Sequence, residues 1–229
     1  MIYKKDIILY IRSIDRYSHT FPHPNTAHES GILCHGGDLN PNRVIKAYLC
    51  GIFPWYNEND PILWWSPNPR CILKFEDFKV SKSLKKSINK NIYEIKFDTN
   101  FEEVIKNCQN IPRNSGKTWL NDEMIESYIA LHNMGFAHSF ESYYQGELVG
   151  GGYGISIGNI FCGESMFSHK NDASKIALYH LINRLKLNDF EFIDCQVPSD
   201  HLLSLGATTI SRNEFLRHVE NSLNNPKTF

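Results

Sequence analysis

Three consecutive runs with the composition of β-strands constrain the fold of this chain more than any other feature. Residues 137–144, 147–157 and 160–167 are separated by two short connections, 145–146 and 158–159, and each connection contains a glycine. Two-residue turns of this kind between β-rich runs are typical of hairpins. We therefore predict an antiparallel three-stranded meander within the sheet.

Helices and further strands are predicted on both sides of the meander. Ser, Thr, Asp and Asn are preferred at helix N-caps because their side chains accept a hydrogen bond from a free backbone N–H. The predicted order is a strand at 92–97, a helix capped by Thr99, a helix capped by Asn121, the meander, a helix capped by Asn171 or Asp172, a strand at 190–197, a short helix capped by Asp200, a strand at 207–210 and a helix opened by the capping box Ser211-x-x-Glu214.

This order of elements resembles that of the N-acetyltransferase-like (GNAT) fold, an α/β fold with a mixed sheet. The resemblance implies that the fourth and fifth strands splay apart and leave a V-shaped opening for an acyl group. In this chain the opening is expected between residues 160–167 and 191–197.

The first 68 residues differ from the rest of the chain in composition and in the regularity of their predicted elements. They are rich in Pro, Gly, Asn and Trp, and they contain one predicted helix, which Asn40 caps and Gly51 ends. Regular alternation of strands and helices begins only after residues 67–69. We therefore predict a small N-terminal α+β domain (1–68) followed by a GNAT-like catalytic domain (69–229).

The bulk properties of the chain exclude several classes of protein. A formal net charge of −1 argues neither for nor against nucleic acid. The apolar run at 7–11 is too short for a signal peptide or a membrane span. The six cysteines include no C-x-x-C pair. We therefore expect a cytoplasmic protein with free thiols, no disulfide framework, no metal site and no cofactor.

Polar side chains on the two strands beside the expected opening are candidates for chemistry. Strict alternation places Glu164 on one face of its strand, and Phe161 and Phe167 on the other. Asp194 and Gln196 share a face of the second strand. A buried carboxylate needs a partner, so each acid should have a defined hydrogen-bonding role. A catalytic cluster at the opening and a purely structural polar network are both consistent with this pattern.

Six strings along residues 20–217 resemble the bacterial leucyl/phenylalanyl-tRNA–protein transferase family, and they occur in the same order as in that family. Each string alone is weak, but six in register are specific. They are Gly36-Gly-Asp-Leu39, Gly51-Ile-Phe-Pro-Trp55, Pro61-Ile-Leu-Trp-Trp-Ser-Pro67, Phe161-Cys-Gly-Glu-Ser-Met-Phe-Ser168, Ala173-Ser-Lys175 and Ile193-Asp-Cys-Gln196.

The resemblance implies an aminoacyltransferase with two macromolecular substrates. Members of that family move leucine, phenylalanine or sometimes methionine from Leu-tRNA or Phe-tRNA to the N-terminal Arg or Lys of a protein, which marks the product for degradation. The reaction is aminolysis of an ester, so it needs no covalent enzyme intermediate. It needs positioning, a deprotonated amine and help for the leaving ribose oxygen.

The resemblance also implies roles for individual residues. Asp194 and Gln196 would form the catalytic pair, and Glu164 would orient substrate. The apolar residues implied for the aminoacyl pocket, which could equally be plain core, are Phe161, Phe167, Leu178, Leu181, Leu185 and Ile193. The residues implied for the terminal adenosine are Trp55, Trp119 and Tyr128.

Two further features bear on binding. Lys82, Lys85 and Lys86 belong to a basic run that could contact tRNA phosphates or could be a solvated surface. Leu181 and Leu185 stand where the family often has phenylalanine, and Gly152 stands where methionine can occur. The pocket is therefore expected to be roomier or differently shaped.

Alternative functions remain open from the sequence. An acyl-CoA-dependent N-acetyltransferase would need a glycine-containing pyrophosphate loop, which residues 168–174 lack. A module that binds aminoacyl-tRNA or peptide without chemistry is a second alternative. A cysteine nucleophile at Cys162 is disfavoured, because that residue lies on a buried strand with no positioned histidine evident.

Overall fold

The computed structural model describes Ile8 and residues 11–57, 59–111 and 119–229. In these ranges two β-sheets and seven α-helices form a mixed α/β fold. No helix of the described ranges combines the length and apolarity needed to cross a bilayer. Most of the apolar run at 7–11 lies outside the described residues.

The smaller sheet has four strands, in the order β1-β2-β4-β3, and all of them precede residue 66. The helix α1 (Pro41–Leu49) lies between β2 and β3 and begins after Asn40, whose side chain accepts from the N–H of Asn42. Gly51 follows the helix with a φ of 72°, so the predicted cap and stop are both confirmed. The strands are β1 (Arg12–Ile14), β2 (Ile32–Gly36), β3 (Phe53–Pro54) and β4 (Leu63–Trp65).

The larger sheet has seven strands, in the order β11-β5-β10-β9-β8-β7-β6. Strands β7, β8 and β9 pair antiparallel in sequence, which confirms the predicted meander. The strands are β5 (Arg70–Lys74), β6 (Glu94–Phe97), β7 (Ala137–Tyr144), β8 (Glu147–Ile157), β9 (Ile160–Ser168), β10 (Phe192–Gln196) and β11 (Thr208–Ile210).

The remaining helices follow the predicted order from β6 onward, but one strand and one α-helix between residues 69 and 91 were not predicted. These are β5, which is inserted between β10 and β11, and α2, which carries the basic run. The helices are α2 (Lys82–Asn89), α3 (Phe101–Asn110), α4 (Asp122–Asn133), α5 (Ala173–Leu187), α6 (Asp200–Ser204) and α7 (Arg212–Leu223).

The start of α3 differs from the prediction that Thr99 caps it. Asn100 occupies the cap position, and its side chain makes no capping bond. Instead, the buried carboxylate of Glu141 on β7 accepts from the backbone N–H groups of Thr99 and Asn100, at 3.0 and 2.9 Å. The neighbouring strand thus replaces a local cap, which no pattern within the helix could indicate.

Two other caps are shifted or replaced. Ser199, and not Asp200, caps α6 by accepting from the N–H of Leu202. Asp172 stands at the start of α5 as predicted, but its carboxylate accepts from the hydroxyl of Ser87 on α2 instead of capping the helix. Asn121 and Ser211 cap α4 and α7 as predicted.

Apolar side chains form two main cores. The first core contains residues of both sheets, among them Trp64 and Trp65. The second core packs α5 against the larger sheet and contains Phe161 and Ile193. β9 and β10 therefore have side chains in both cores, as expected of strands in the middle of a sheet.

Candidate active site

Strands β9 and β10 separate partway along their length. They pair in parallel from Phe192 opposite Ile160 to Asp194 opposite Cys162, and β9 then continues to Ser168 without β10. This confirms the predicted opening. A cavity of about 570 Å³ lies there. It is lined by Leu73, Ile111, Tyr153, Gly163, Glu164, Ser165, Met166, Phe167, Ser168, Ser174, Leu178, Ile193, Cys195, Gln196, Ser199, His201, Leu202 and Leu205.

A β-bulge lies on β9 at the mouth of the opening. Tyr153 of β8 pairs with Ser165, but the next residue, Gly154, pairs with Gly163. Glu164 is therefore an extra residue that has no partner in the ladder. Bulges re-aim side chains and are frequent beside active sites. Here the bulge directs a carboxylate into the cavity.

The bulge also reverses the side-chain alternation along β9. Phe161 lies in the second core, whereas Phe167 lies in the first core. The prediction that these two rings share a face is therefore wrong, because it assumed an unbroken period of two. An extra residue at Glu164 moves every later side chain to the other face.

Glu164 is held by two tyrosine hydroxyls. Tyr48 of α1 donates to its Oε1 at 2.7 Å, Tyr128 of α4 lies 3.3 Å from its Oε2, and the two hydroxyls are 2.6 Å apart. Burial raises the pKa of Glu164 to about 7, and the charge of Asp194 acts in the same direction, whereas the hydrogen bond from Tyr48 lowers it. The cavity thus contains a carboxyl group that exchanges a proton near neutral pH.

Asp194 has a different environment from Glu164. It is fully buried, and both of its carboxylate oxygens accept from Arg70, at 2.8 Å from Nε and 2.7 Å from Nη2. Arg70 is itself 1% exposed and also donates to the carbonyl of Gly51. This buried pair meets the requirement that the acid have a defined partner. Asp194 lies behind the cavity wall and does not line the cavity.

Gln196 links the two splayed strands. Its backbone N–H donates to Asp194 Oδ1 at 3.0 Å, and its φ is 57°. Its side-chain Nε2 donates to the carbonyl of Gly163 at 3.0 Å and lies 3.3 Å from Glu164 Oε1. Gln196 and Glu164 therefore meet across the opening, and Asp194 holds the backbone that places Gln196 there.

The predicted pocket residues divide into two groups. Phe167, Leu178 and Ile193 line the cavity. Phe161, Leu181 and Leu185 are buried in the second core and do not line it. The site at Gly152 is closed to any side chain, because a Cβ there would lie 2.5 Å from the carbonyl oxygen of Ser165.

The three predicted adenosine-binding aromatics lie outside the cavity lining. Tyr128 is 1% exposed, so its ring is not available for stacking on a base. Trp55 is partly buried, and its ring packs against that of Trp65 with centroids 5.2 Å apart. Trp119 is also partly buried. The two tryptophans keep exposed surface, whereas Tyr128 acts through its hydroxyl.

The predicted basic residues form an exposed helical surface. Lys82, Lys85 and Lys86 of α2 are all exposed, and Leu84 of the same helix is buried. Leu84 packs in a small third core with Ile176 of α5. The helix is therefore fixed by its apolar side, and its lysines face solvent.

The cysteines and His169 do not form a nucleophilic site. All six cysteines are free thiols. Burial raises the pKa of the Cys162 thiol well above its ordinary value, which opposes a reactive thiolate. The His169 ring is bonded to Asn107 at 2.6 Å. The raised thiol pKa and the engaged histidine both argue against Cys162 as a nucleophile, as expected from the sequence.

Several residues of the site were not found from the sequence. Tyr48 and Arg70 come from distant segments, and their contacts with Glu164 and Asp194 bridge 116 and 124 positions. One signal was available for Arg70: a buried acid at Asp194 requires a cation. Tyr48 lies on the apolar face of α1, where a tyrosine looks like ordinary core. No sequence pattern indicated that residues of β5 and α6, such as Leu73 and Leu202, would line the cavity.

Solved structures resemble the chain only slightly. The structure of L-PGS from Bacillus licheniformis is 12% identical, with a TM-score of 0.37, and covers 58% of this chain and 48% of its own. A conserved protein of unknown function from Bacteroides thetaiotaomicron is 16% identical, with a TM-score of 0.37, and covers 69% and 56%. These likenesses are too weak to bear on fold or function.

Sequence comparisons are far more specific. The model of the leucyl/phenylalanyl-tRNA protein transferase matches residues 72–220, and the model of its N-terminal domain matches residues 37–68. The leucyl/phenylalanyl-tRNA–protein transferase of Sulfurimonas denitrificans is 61% identical over 198 residues, which cover 86% of each chain. That of Legionella pneumophila (strain Corby) is 52% identical over 209 residues, covering 91% of this chain and 94% of its own. The chain belongs to the leucyl/phenylalanyl-tRNA protein transferase family.

Proposed function

We propose that this protein transfers leucine, phenylalanine or methionine from aminoacyl-tRNA to the N-terminal Arg or Lys of acceptor proteins in the cytoplasm. The new peptide bond marks the acceptor for degradation. The observation that carries the proposal is the meeting of Glu164 and Gln196 over a largely apolar cavity between two splayed strands. Membership of an aminoacyltransferase family supports our assignment of this site to aminoacyl transfer.

The same proposal extends to the organisation of the chain. Residues 1–68 form a small N-terminal domain, and residues 69–229 form an N-acetyltransferase-like domain. The order of elements from β6 onward and the separation of β9 from β10 support this fold. Tyr48 donates to Glu164 from the first domain, so the site depends on both.

The reaction balances without a covalent enzyme intermediate. The acceptor α-amine attacks the carbonyl carbon of the aminoacyl ester, a C–N bond forms and the C–O bond to the ribose breaks. The amine loses a proton, and the leaving ribose oxygen gains one. The protein therefore has to hold both substrates in line and accept a proton near neutral pH.

Glu164 is the residue we assign to proton acceptance. It lines the cavity, and its pKa of about 7 suits a group that must be ionised before reaction and protonated after it. Its carboxylate also attracts a cationic acceptor side chain. The charge of Asp194 is already matched by Arg70, so Asp194 is a positioning residue.

Gln196 is the orienting residue in this mechanism. A primary amide is a very poor base, but it can hold the carboxylate of Glu164 and the reacting groups by hydrogen bonds. The donor side chain enters the apolar part of the cavity beside Phe167, Leu178 and Ile193. Apolar burial of this kind suits leucine and phenylalanine and excludes charged side chains.

The tRNA is held outside the cavity. Trp55 and Trp119 supply aromatic surface for the terminal adenosine, and stacking on a base is worth about 1–3 kcal/mol. The exposed lysines 82, 85 and 86 of α2 supply positive charge for phosphates. Their sequence-independent contacts fit a substrate that is recognised chiefly by its aminoacyl end.

A transfer assay tests the proposed function. Radiolabelled leucyl-tRNA is mixed with the protein and a peptide that begins with Arg, and a parallel reaction contains labelled acetyl-CoA. The expected result is label in the peptide from leucyl-tRNA only, and no label in a matched peptide that begins with Ala. Label that stays on the tRNA, or that comes from acetyl-CoA, would refute the proposal.

A further inference from the structure

The apolar residues that line the cavity do not surround it evenly. Tyr153 and Phe167 belong to the first core. Most of the others belong to the second core or pack against it, so the larger apolar part of the cavity lies on the α5 side of the sheet. On that side the apolar lining includes Leu73, Leu178, Ile193, Leu202 and Leu205.

The wall on this side has an inner and an outer part. The inner part is Leu178 of α5 and Ile193 of β10, which are buried. The outer part comes from α6, the short helix that begins four residues after Gln196. Leu202 of α6 is partly exposed, so it stands between the apolar end of the cavity and solvent. The next residue, Leu203, is 44% exposed and does not line the cavity.

The helix that carries Leu202 is fixed at both ends. Ser199 accepts from the N–H of Leu202 at 3.2 Å. After the helix, the N–H of Lys79 donates to the carbonyl of Leu205 at 2.8 Å. Gly206 has a φ of 104°, and a Cβ there would lie 1.9 Å from the carbonyl oxygen of Asp77. The backbone of α6 is therefore held against the segment that follows β5.

Because the backbone of α6 is held in place, the size of the side chain at position 202 determines how much space this end of the cavity offers. A larger residue at 202 extends into the cavity, and a smaller one leaves space that a donor side chain can fill. The residues of the inner wall are less free to vary, because changes there disturb the second core as well. Leu202 packs against that core only from its partly exposed edge, so a change at position 202 alters the cavity with less effect on the core than a change at Leu178 or Ile193.

We propose that Leu202 is a specificity-determining residue that limits the size of the donor side chain. The inference rests on the proposed function, because it assigns the apolar end of the cavity to the transferred amino acid. The choice between leucine and phenylalanine would then depend on α6 and not only on α5 and β10, which form the inner wall.

The test is a competition between phenylalanyl-tRNA and leucyl-tRNA with one Arg-peptide as acceptor. The measured quantity is the ratio of the two kcat/KM values. Leu202→Ala is expected to raise the preference for phenylalanine about tenfold, and Leu202→Phe to lower it about tenfold, as expected when a few methylene groups change in an apolar pocket. Leu203→Ala is the matched control and should leave the ratio unchanged.

The outcomes separate the two proposals. If the wild-type protein transfers neither amino acid, the proposed function fails. If the wild type transfers both and neither Leu202 variant changes the ratio, the specificity role of Leu202 is refuted and the proposed function stands. Thermal melting checks that each variant folds. Should Leu202→Ala not fold, Leu202→Val makes the same comparison with a smaller change in volume.

Discussion

At the scale of single residues, the two acids of the site, Glu164 and Asp194, differ in their surroundings and therefore in their roles. Asp194 is fully buried and bonded to Arg70 through both oxygens, whereas Glu164 faces the cavity between two tyrosine hydroxyls. The sequence predicts three polar groups near one opening, and the structure brings Glu164 and Gln196 together. It places Asp194 one layer behind them. Which acid faces the cavity depends on Arg70, a partner that is distant in sequence.

The ion pair predicts a large loss of stability when one partner is removed. Asp194→Asn leaves the guanidinium of Arg70 buried without a counter-charge, which costs about 3–5 kcal/mol. The free energy of unfolding from urea titration measures this loss. Asp200→Asn, at an exposed acid on α6, is the control and should change stability little. An Asp194→Asn variant as stable as the wild type would contradict the positioning role.

The raised pKa of Glu164 predicts a specific pH dependence of stability. The folded-state pKa of about 7 lies above the ordinary value of 4.5, so the contribution of Glu164 to stability is fully present below pH 4.5. This contribution is lost as the pH rises through about 7. It amounts to at most about 3 kcal/mol, since one pKa unit corresponds to about 1.4 kcal/mol.

Urea titrations of the wild type and Glu164→Gln at pH 5 and pH 8 isolate this effect. Glutamine keeps the shape of the side chain but does not titrate, so the other ionisable groups cancel in the comparison. The wild type should lose more stability than the variant between the two pH values. Equal losses would show that Glu164 titrates at its ordinary pKa.

At the scale of elements, periodicity predicts where strands lie better than where their side chains point. The meander and the order of elements from β6 onward follow from runs, turns and caps in the sequence, whereas the opening was implied by the resemblance of that order to the N-acetyltransferase-like fold. The extra residue at Glu164 does not, because a bulge depends on how β9 pairs with β8. That one residue accounts for the wrong prediction that Phe161 and Phe167 share a face.

The lysines of helix α2 are predicted to contact tRNA phosphates. Replacing Lys82, Lys85 and Lys86 together with alanine should weaken binding and flatten its dependence on salt, because fewer counterions are released. The slope of log K against log salt should fall by roughly 0.7–0.9 for each phosphate that the variant no longer neutralises. Binding is measured by fluorescence anisotropy of labelled tRNA at several salt concentrations.

A matched control makes this experiment decisive. Lys106 on α3 is also exposed but is paired with Glu102 at 2.6 Å, so Lys106→Ala should leave the salt slope unchanged. If the triple variant has the same slope as the wild type, α2 is a solvated surface and does not contact tRNA.

At the scale of the whole molecule, the site is assembled from strands of the larger sheet and from the segment that contains α1 and Gly51. The first core joins them, Tyr48 reaches Glu164 from α1, and Arg70 bonds the carbonyl of Gly51 as well as Asp194. Such contacts are set by how distant segments pack, so local sequence patterns could not predict them. Patterns predicted α1 and the elements from β6 onward, but not β5, which carries Arg70. The resemblance to the family predicted that Glu164 and Gln196 would lie together, but it did not predict Tyr48 or Arg70.

The most direct test of the proposed mechanism is single-turnover transfer by the wild type and Gln196→Ala. Labelled leucyl-tRNA and an Arg-peptide are used at saturating protein, and tRNA binding is measured in parallel. The wild type should transfer the label, and the variant should be about 100-fold slower with unchanged tRNA affinity, because orientation at the reacting atoms is lost. A wild type that leaves its label on the tRNA, or a variant that transfers as fast as the wild type, would contradict it.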